Sequence, residues 1–200
     1  MSTAEVLRMA YCDPPYPGLA RKHYAIEAAA RGAVAVEVNH RVLIGTLCRE
    51  YPDGWALSTS STTLREVLAL CPPDVRIAAW VKTWAVFKVG VNPAFAWEPV
   101  LVWRGRTRRP RSEVTVRDWL ACPATMNGRD GVGARVTTPG AKPPAFWFWL
   151  FALLGLRAGD EFHDLFPGSG AGARAWAAYG RRLPLADGGA AQLRLEEAGA

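Results

Sequence analysis

The apolar positions of the chain fall into short runs separated by glycine, proline and polar clusters. Their spacing switches between strand-like and helix-like periods. Val6, Leu7, Met9, Ala10 and Tyr11 form a compact apolar run that predicts a buried strand. Ala20 to Arg31 has helical composition, and Ala33 to Val38 is either a short strand or an irregular link. Asn39 is placed to cap a helix whose face is Val42, Leu43, Leu47 and Tyr51, with Pro52-Asp53-Gly54 stopping it. Trp55 to Thr59 predicts a second strand. Ser60, Ser61 or Thr62 caps a helix over Thr63 to Leu70, with Leu64, Val67, Leu68 and Cys71 facing inward and Pro72-Pro73 ending it. Val75 to Val81 and Phe95 to Trp103 predict two further strands. This order is expected for an α/β protein with a doubly wound, mainly parallel sheet whose last strand here is antiparallel.

The rhythm breaks from Gly105 to Ala141, a stretch rich in arginine, glycine and proline that predicts a long surface connection with one short helix at Val116 to Ala121. Pro143 and Pro144 then start a helix that is apolar nearly all round and ends at Gly155, as a buried helix against a sheet does. Phe162 to Phe166 predicts a strand, Pro167 to Gly172 a glycine-rich turn, and Ala173 to Tyr179 a helix. Arg182 to Ala186 adds a last strand, and the remainder is a frayed tail.

Two hundred residues, half of them hydrophobic, suit one domain with a substantial core. Cys12, Cys48, Cys71 and Cys122 are far apart and show no metal-ligand spacing, so they are expected as reduced thiols in the cytoplasm. The first residues lack the pattern of a secretory signal. The longest apolar run, Pro144 to Leu156, is too short to span a bilayer, so no membrane association is expected. The formal charge is +6, compatible with a polyanionic partner. Much of it is concentrated in Arg104, Arg106, Arg108, Arg109 and Arg111, either a solvated face or a phosphate-gripping segment. Nine tryptophans serve a large core, exposed stacking surfaces, or both. His23, His40 and His163 fit no metal or triad pattern and are expected in surface or packing roles.

Two stretches carry chemistry. After the first strand, Asp13-Pro14-Pro15-Tyr16 forms a stiff, non-helical lip, because each proline fixes φ and removes a backbone donor. It offers a carboxylate, a carbonyl and an aromatic ring. Two acceptors on the N–H groups of a nucleobase amine favour its pyramidal, reactive form, and the ring stacks on the base. Near the other end, Asp164-Leu165-Phe166-Pro167-Gly168-Ser169-Gly170 joins a strand to a helix whose first N–H groups are unpaired. It has neither the Walker nor the dinucleotide spacing.

The first stretch resembles the Asp-Pro-Pro-Tyr motif of the amino-methyltransferases that modify adenine N6 or cytosine N4 in nucleic acids. The second resembles the motif by which the same family binds S-adenosylmethionine (SAM), and Lys142-Pro143 resembles the cofactor-side motif before it. Acceptor motif first and cofactor motif last is the permuted order of the class often called β. The resemblance implies a circularly permuted and minimal Rossmann-like SAM methyltransferase. In it Asp13 and the Pro14 carbonyl hold the amine and Tyr16 stacks on a flipped base. Lys142, Pro143, Asp164, Phe166, Gly168, Ser169 and Gly170 would hold the cofactor, and Arg104 to Arg111 the nucleic acid. The expected acceptor is adenine N6 in DNA, with RNA or a small nucleobase-like amine as alternatives. A non-catalytic nucleic-acid-binding subunit is the rival of a different class. No segment corresponds to a separate target-recognition domain, so a partner subunit or a second copy is left to supply recognition. Asp187 is a weak match for the acid that holds the cofactor ribose. The Ala/Arg/Gly-rich composition suits a bacterial or phage genome.

Overall fold

In the first strand, β1 (Arg8–Cys12), alternate residues serve opposite faces, as a period of two requires. Met9 and Tyr11 join one core cluster, and Ala10 and Cys12 join another. All four are buried, so β1 is covered on both sides. The computed structural model describes residues 5–17, 37–84, 89–107, 111, 113–124 and 141–182. The helix expected at Ala20 to Arg31, the residues 183–186 of the last expected strand, Asp187 and His23 lie outside them. Arg182 closes a helix instead.

After β1 come α1 (His40–Glu50), β2 (Gly54–Ser58), α2 (Leu64–Leu68), β3 (Arg76–Lys82) and β4 (Trp97–Arg104). They are followed by β5 (Trp119–Cys122), α3 (Pro144–Leu154), β6 (Glu161–Asp164) and α4 (Ala171–Arg182). The sheet order is β5-β3-β4-β2-β1-β6. β1 pairs in parallel with both β2 and β6, and β3 with β5. Only β4 runs against its two neighbours. The predicted antiparallel strand is therefore present, inserted between β2 and β3.

The helices lie on both faces. α1 and α2 pack with Ala10, Cys12, Trp55, Leu57, Leu101 and Trp103. α3 and α4 pack with Met9, Tyr11, Trp80, Val100 and Val102. Asn39 caps α1 by accepting the Val42 N–H at 3.1 Å. Leu47 and Tyr51 of the expected face are buried and Leu43 packs against the same cluster, whereas Val42 is exposed and His40 and Ile44 complete the buried face. His40 holds its place by bonding Nδ1 to the Val38 carbonyl. No cap bond comes from the Ser60 to Thr62 cluster to α2, whose N-cap is Thr63. Val67 is its one fully buried residue.

α3 starts after Pro143 and stops at Gly155, which takes a left-handed φ of 69°. Phe146, Trp147, Trp149, Leu150, Phe151 and Leu154 are buried, each stabilising the fold by roughly 1.5–3 kcal/mol. The outer side is covered by α4, through Phe148 and Phe151 against Tyr179 and Phe151 against Trp176. Among the described residues, no helix is long and apolar enough to cross a membrane. The tryptophans divide between core and surface: Trp55, Trp80, Trp103, Trp147 and Trp149 are buried, whereas Trp84, Trp97 and Trp119 are exposed.

Part of the presumed surface connection is built into the fold. The helix expected at Val116 to Ala121 is instead the edge strand β5, and Trp149 Nε1 donates to the Arg117 carbonyl at 2.9 Å. Gly105 (φ 92°) lies against the Leu154 carbonyl, where a Cβ would come within 2.8 Å of the oxygen.

Candidate functional site

β1, β2, β3 and β6 all point their carboxyl ends toward one edge of the sheet. The amino end of antiparallel β4 reaches the same edge, so residues distant in sequence meet there. In open α/β sheets ligands bind at this edge. The lip carrying Asp13 leaves β1, and the glycine turn leaves β6 beside it. Tyr11 and Asp164 are register partners, and the Leu165 N–H donates to the Tyr11 carbonyl at 3.0 Å.

On the β1 side, Pro14 is buried and Tyr16 half-buried. The Asp13 carboxylate meets the Lys142 ammonium at 2.9 Å, from Oδ2 to Nζ. Lys142 immediately precedes α3 and also stands 2.6 Å from Glu98 Oε1, a charge contact poorly aligned as a hydrogen bond. Lys82 Nζ lies 3.4 Å from Glu98 Oε2. The Trp80 ring lies 5.0 Å from the Lys82 ammonium and 5.5 Å from that of Lys142. Tyr11 Oη and Ser58 Oγ are 2.8 Å apart, and Ser58 also hydrogen-bonds Glu98. With the Ser58 proton donated to Glu98, the Tyr11 hydroxyl is the donor to Ser58.

Burial and charge act together on these groups. Burial pushes the Lys142 ammonium toward losing its proton, but Asp13 and Glu98 outweigh that and hold it protonated well above the ordinary lysine range. Burial raises Glu98, yet Lys142, Lys82 and the Ser58 hydroxyl bring it below the usual carboxylate range. Asp13 moves the other way: burial and the Glu98 charge raise it, and Lys142 offsets them only in part. The Asp13 side chain is still 28 % exposed, so the direction is retained and the size is moderated by solvent. The Cys12 thiol is pushed far up by burial, Asp164 and Asp13; it stays protonated and is no nucleophile.

On the β6 side, Asp164 Oδ1 accepts the Phe166 N–H at 3.2 Å and shapes the turn. Gly168 and Gly170 have φ of 46° and 74°, a left-handed backbone that favours glycine. The Gly170 N–H donates to the Pro167 carbonyl at 2.6 Å, and Arg174 Nη1 donates to the Ser169 carbonyl at 2.9 Å. Among the described residues, a Cβ on Gly168 would meet only the Phe166 oxygen, at 3.8 Å, so none of them fills the space beside it. A Cβ on Gly172 would collide with Asp164 Oδ2 and the Trp147 ring. Among the described residues, the Trp147 indole N–H has no hydrogen-bond partner. Burial raises the Asp164 carboxyl to about 6, with Asp13 adding to the shift and the Phe166 N–H and Lys142 opposing it.

The site residues expected from the sequence are thus divided. Asp13, Pro14, Tyr16, Asp164, Phe166, Gly168, Ser169 and Gly170 lie on neighbouring loops. Lys142, expected on the cofactor side, has its ammonium on Asp13. Arg106 is corrected: it turns inward and grips both oxygens of buried Asp160, at 2.9 and 3.0 Å, while its Nε donates to the Gly155 carbonyl. Arg104 lies 4.1 Å over the Trp103 ring and donates to the Pro52 carbonyl. Arg111 is exposed, and Arg108 and Arg109 lie outside the described residues. Glu98 and Gly172 were missed. A signal for Glu98 existed: it shares the inward phase of Val100 and Val102 in an otherwise apolar strand. His163 lies at the surface side of β6, 3.7 Å from Glu161 and against the Tyr51 ring. Among the described residues no group of His, Cys, Asp and Glu is arranged to hold a metal ion.

Scanned against protein-family models and against the curated proteins, the sequence matches none. Solved structures do match. A crystal structure of M1.HpyAVI in complex with SAM aligns over 88 % of this chain and 79 % of that one, at a TM-score of 0.55 and 15 % identity. Another crystal structure of M1.HpyAVI aligns over 88 % and 77 %, at a TM-score of 0.48 and 14 % identity. The chain therefore shares the α/β fold of the M1.HpyAVI–SAM complex.

Proposed function

We propose that this protein is a SAM-dependent methyltransferase that modifies the exocyclic amine of a nucleobase, adenine N6 in DNA, as one permuted and minimal domain. The observation that carries the reading is the adjacency of the Asp13 lip and the Asp164 turn, joined through the Leu165 N–H to Tyr11 carbonyl bond. The shared fold with a protein solved in complex with SAM supports the same cofactor here.

The β6 side suits that cofactor. SAM, when bound, supplies an activated methyl group on a sulfonium centre and carries a second positive charge on its amino group. Asp164 offers a partly buried carboxylate to such a cation. The left-handed glycines at 168 and 170 let the backbone approach it, the space beside Gly168, which no described residue fills, leaves it room, and α4 presents its N-terminal N–H groups. Pro143, Phe166 and Ser169 complete the cofactor side in this reading.

On the other side, Asp13 and the Pro14 carbonyl accept the two N–H bonds of the amine and direct its lone pair toward the donor. Tyr16 stacks on the base. A methylated amine must shed a proton, and Asp13, its carboxyl raised by burial, is the nearest base to take it. Positioning and electrostatics supply the acceleration. Arg111, with Arg108 and Arg109, is the part of the basic segment left to meet phosphates, and a partner subunit or second copy supplies target recognition.

The test is transfer of radiolabelled methyl from SAM to duplex DNA, single-stranded DNA and RNA. Asp13→Ala is expected to abolish transfer while calorimetry finds SAM affinity within a few-fold of the parent. Turnover retained in Asp13→Ala would remove the assigned role.

A further inference from the structure

A glutamate at an inward position of a buried strand is costly unless paired, and Glu98 has an elaborate set of partners. Lys142 and Lys82 reach its two oxygens, and Ser58, backed by Tyr11, hydrogen-bonds it. One of these partners, Lys142, is shared with Asp13. The cluster comprises two acids and two ammonium groups, so its charges balance. It is also graded in depth: Lys142 and Glu98 are only 5 % and 7 % exposed, and Asp13 stands at the rim with 28 %.

That arrangement creates a conflict at Asp13. A carboxylate neutralised by an ammonium 2.9 Å away is a weaker acceptor for an incoming amine. The same ammonium opposes the positive charge that the amine develops as it is alkylated. The conflict is removed if the ammonium has somewhere else to go without leaving the protein interior, and Glu98 is within reach on the other side of the same nitrogen.

We infer that Glu98 and Lys142 form a counter-ion relay for Asp13: Lys142 neutralises Asp13 in the free protein and shifts onto Glu98 when an acceptor amine takes its place. The inference rests on the methyl-transfer reading for the identity of the acceptor. Glu98 is then a positioning residue, acting on the acceptor only through Lys142 and Asp13. Lys82 and Ser58 keep Glu98 ionised and in place while the ammonium changes partners.

The experiment uses the full chain and the variants Glu98→Gln, Lys142→Met and the double variant, with labelled SAM and mixed-sequence duplex DNA, single-stranded DNA and RNA as probes. In Glu98→Gln the ammonium has lost its second carboxylate and stays on Asp13. Acceptor KM is expected to rise at least tenfold and SAM Kd to change less than threefold. Removing the ammonium as well should restore part of that loss, so the double variant should outperform Glu98→Gln. A purely structural role for Glu98 predicts the reverse order, and that order would overturn the relay.

A second readout needs no turnover. Asp13 faces Lys142 from the start of α3, Glu98 from β4, Lys82 from β3 and Asp164 from β6, with Tyr11 and Cys12 on its own strand. Carbon-13 NMR of labelled aspartate should find Asp13 titrating at lower pH in Glu98→Gln, because one negative neighbour is gone and the ammonium is undivided. An Asp13 titration unmoved by Glu98→Gln overturns the relay whatever the activity. A shifted titration in a protein that methylates none of the probes supports the pairing and sinks the methyl-transfer reading alone.

Discussion

Arg106 gives the sharpest test of how this sequence is used, because the sequence and the structure assign it opposite duties. In an arginine-rich connection it is expected to grip phosphate, yet its side chain is 16 % exposed and paired with an Asp160 side chain that is 3 % exposed. Asp160 also accepts the Leu7 N–H at 3.0 Å and the Arg157 N–H at 2.8 Å, so one carboxylate ties the start of β1 to the turn before β6. Arg106 adds the end of β4 to that junction, and its own N–H donates to the Leu154 carbonyl at 2.8 Å. Removing one partner of a buried ion pair costs about 3–5 kcal/mol. The two backbone donors remain on Asp160 in Arg106→Ala and moderate the loss, while the lost bond to the Gly155 carbonyl adds about 1 kcal/mol. The expected destabilisation is thus about 3 kcal/mol. It is measured as a shift in urea midpoint at constant slope, with Arg111→Ala, on the surface, expected within about 0.5 kcal/mol of the parent. A double-mutant cycle with Asp160→Asn should show coupling above about 1 kcal/mol. Nucleic-acid binding by the folded fraction should keep its salt slope in Arg106→Ala, whereas a lost phosphate contact lowers that slope by about 0.9 on duplex DNA. A stable Arg106→Ala protein with a reduced slope would refute the reasoning.

Two further outcomes are expected on the cofactor side. Gly168→Val should abolish measurable SAM binding by calorimetry, because a β-branched side chain resists the φ of 46° and fills the space beside the turn; normal binding would place the cofactor elsewhere. With the Asp164 carboxyl at about 6 in the free protein, a bound cation favours its ionised form and lowers that value. SAM affinity should then be level above about pH 6 and fall by up to tenfold per unit below it. Asp164→Asn should flatten the profile, and a parent profile already flat from pH 7 to 5 would remove Asp164 from the cofactor.

What was legible follows from the range of each interaction. The strand before Asp13, the Asn39 cap, the Pro143–Gly155 limits of α3 and the glycine turn are set by residues close in sequence, and all were readable there. On α1 only Val42 was misjudged, because Val42, Leu43, Ile44 and Leu47 offer apolar residues on overlapping arcs and packing on the sheet selected Ile44. β5 was mistaken for a helix because four residues carry too little period, and its partner β3 lies some forty residues upstream in the register Ala79 to Trp119. The insertion of β4 between β2 and β3 is likewise decided by pairing across the chain. At the site, Asp13 and the turn were visible as motifs, whereas the partners of Lys142 were not. Nothing near Lys142 in sequence indicates Asp13 or Glu98; the sheet brings them together.

Lys142 and Arg106 show why one class of residue can carry two meanings. Both are cations that the sequence offers to a ligand, and in the structure both are held by carboxylates of the protein itself. The difference lies in the acid. Asp160 is buried and accepts two backbone N–H groups besides both contacts from Arg106. Loss of the cation there would strand the Asp160 charge in the interior, so the pair is a strut. Asp13 sits at the rim of the sheet edge, on a proline-stiffened lip that holds it still, and its cation has a second buried carboxylate within 2.6 Å. An amine arriving at Asp13 can displace the ammonium without leaving either charge alone. The solvent access of Asp13, which Asp160 lacks, together with the second carboxylate beside Lys142, is what makes this ion pair a candidate site.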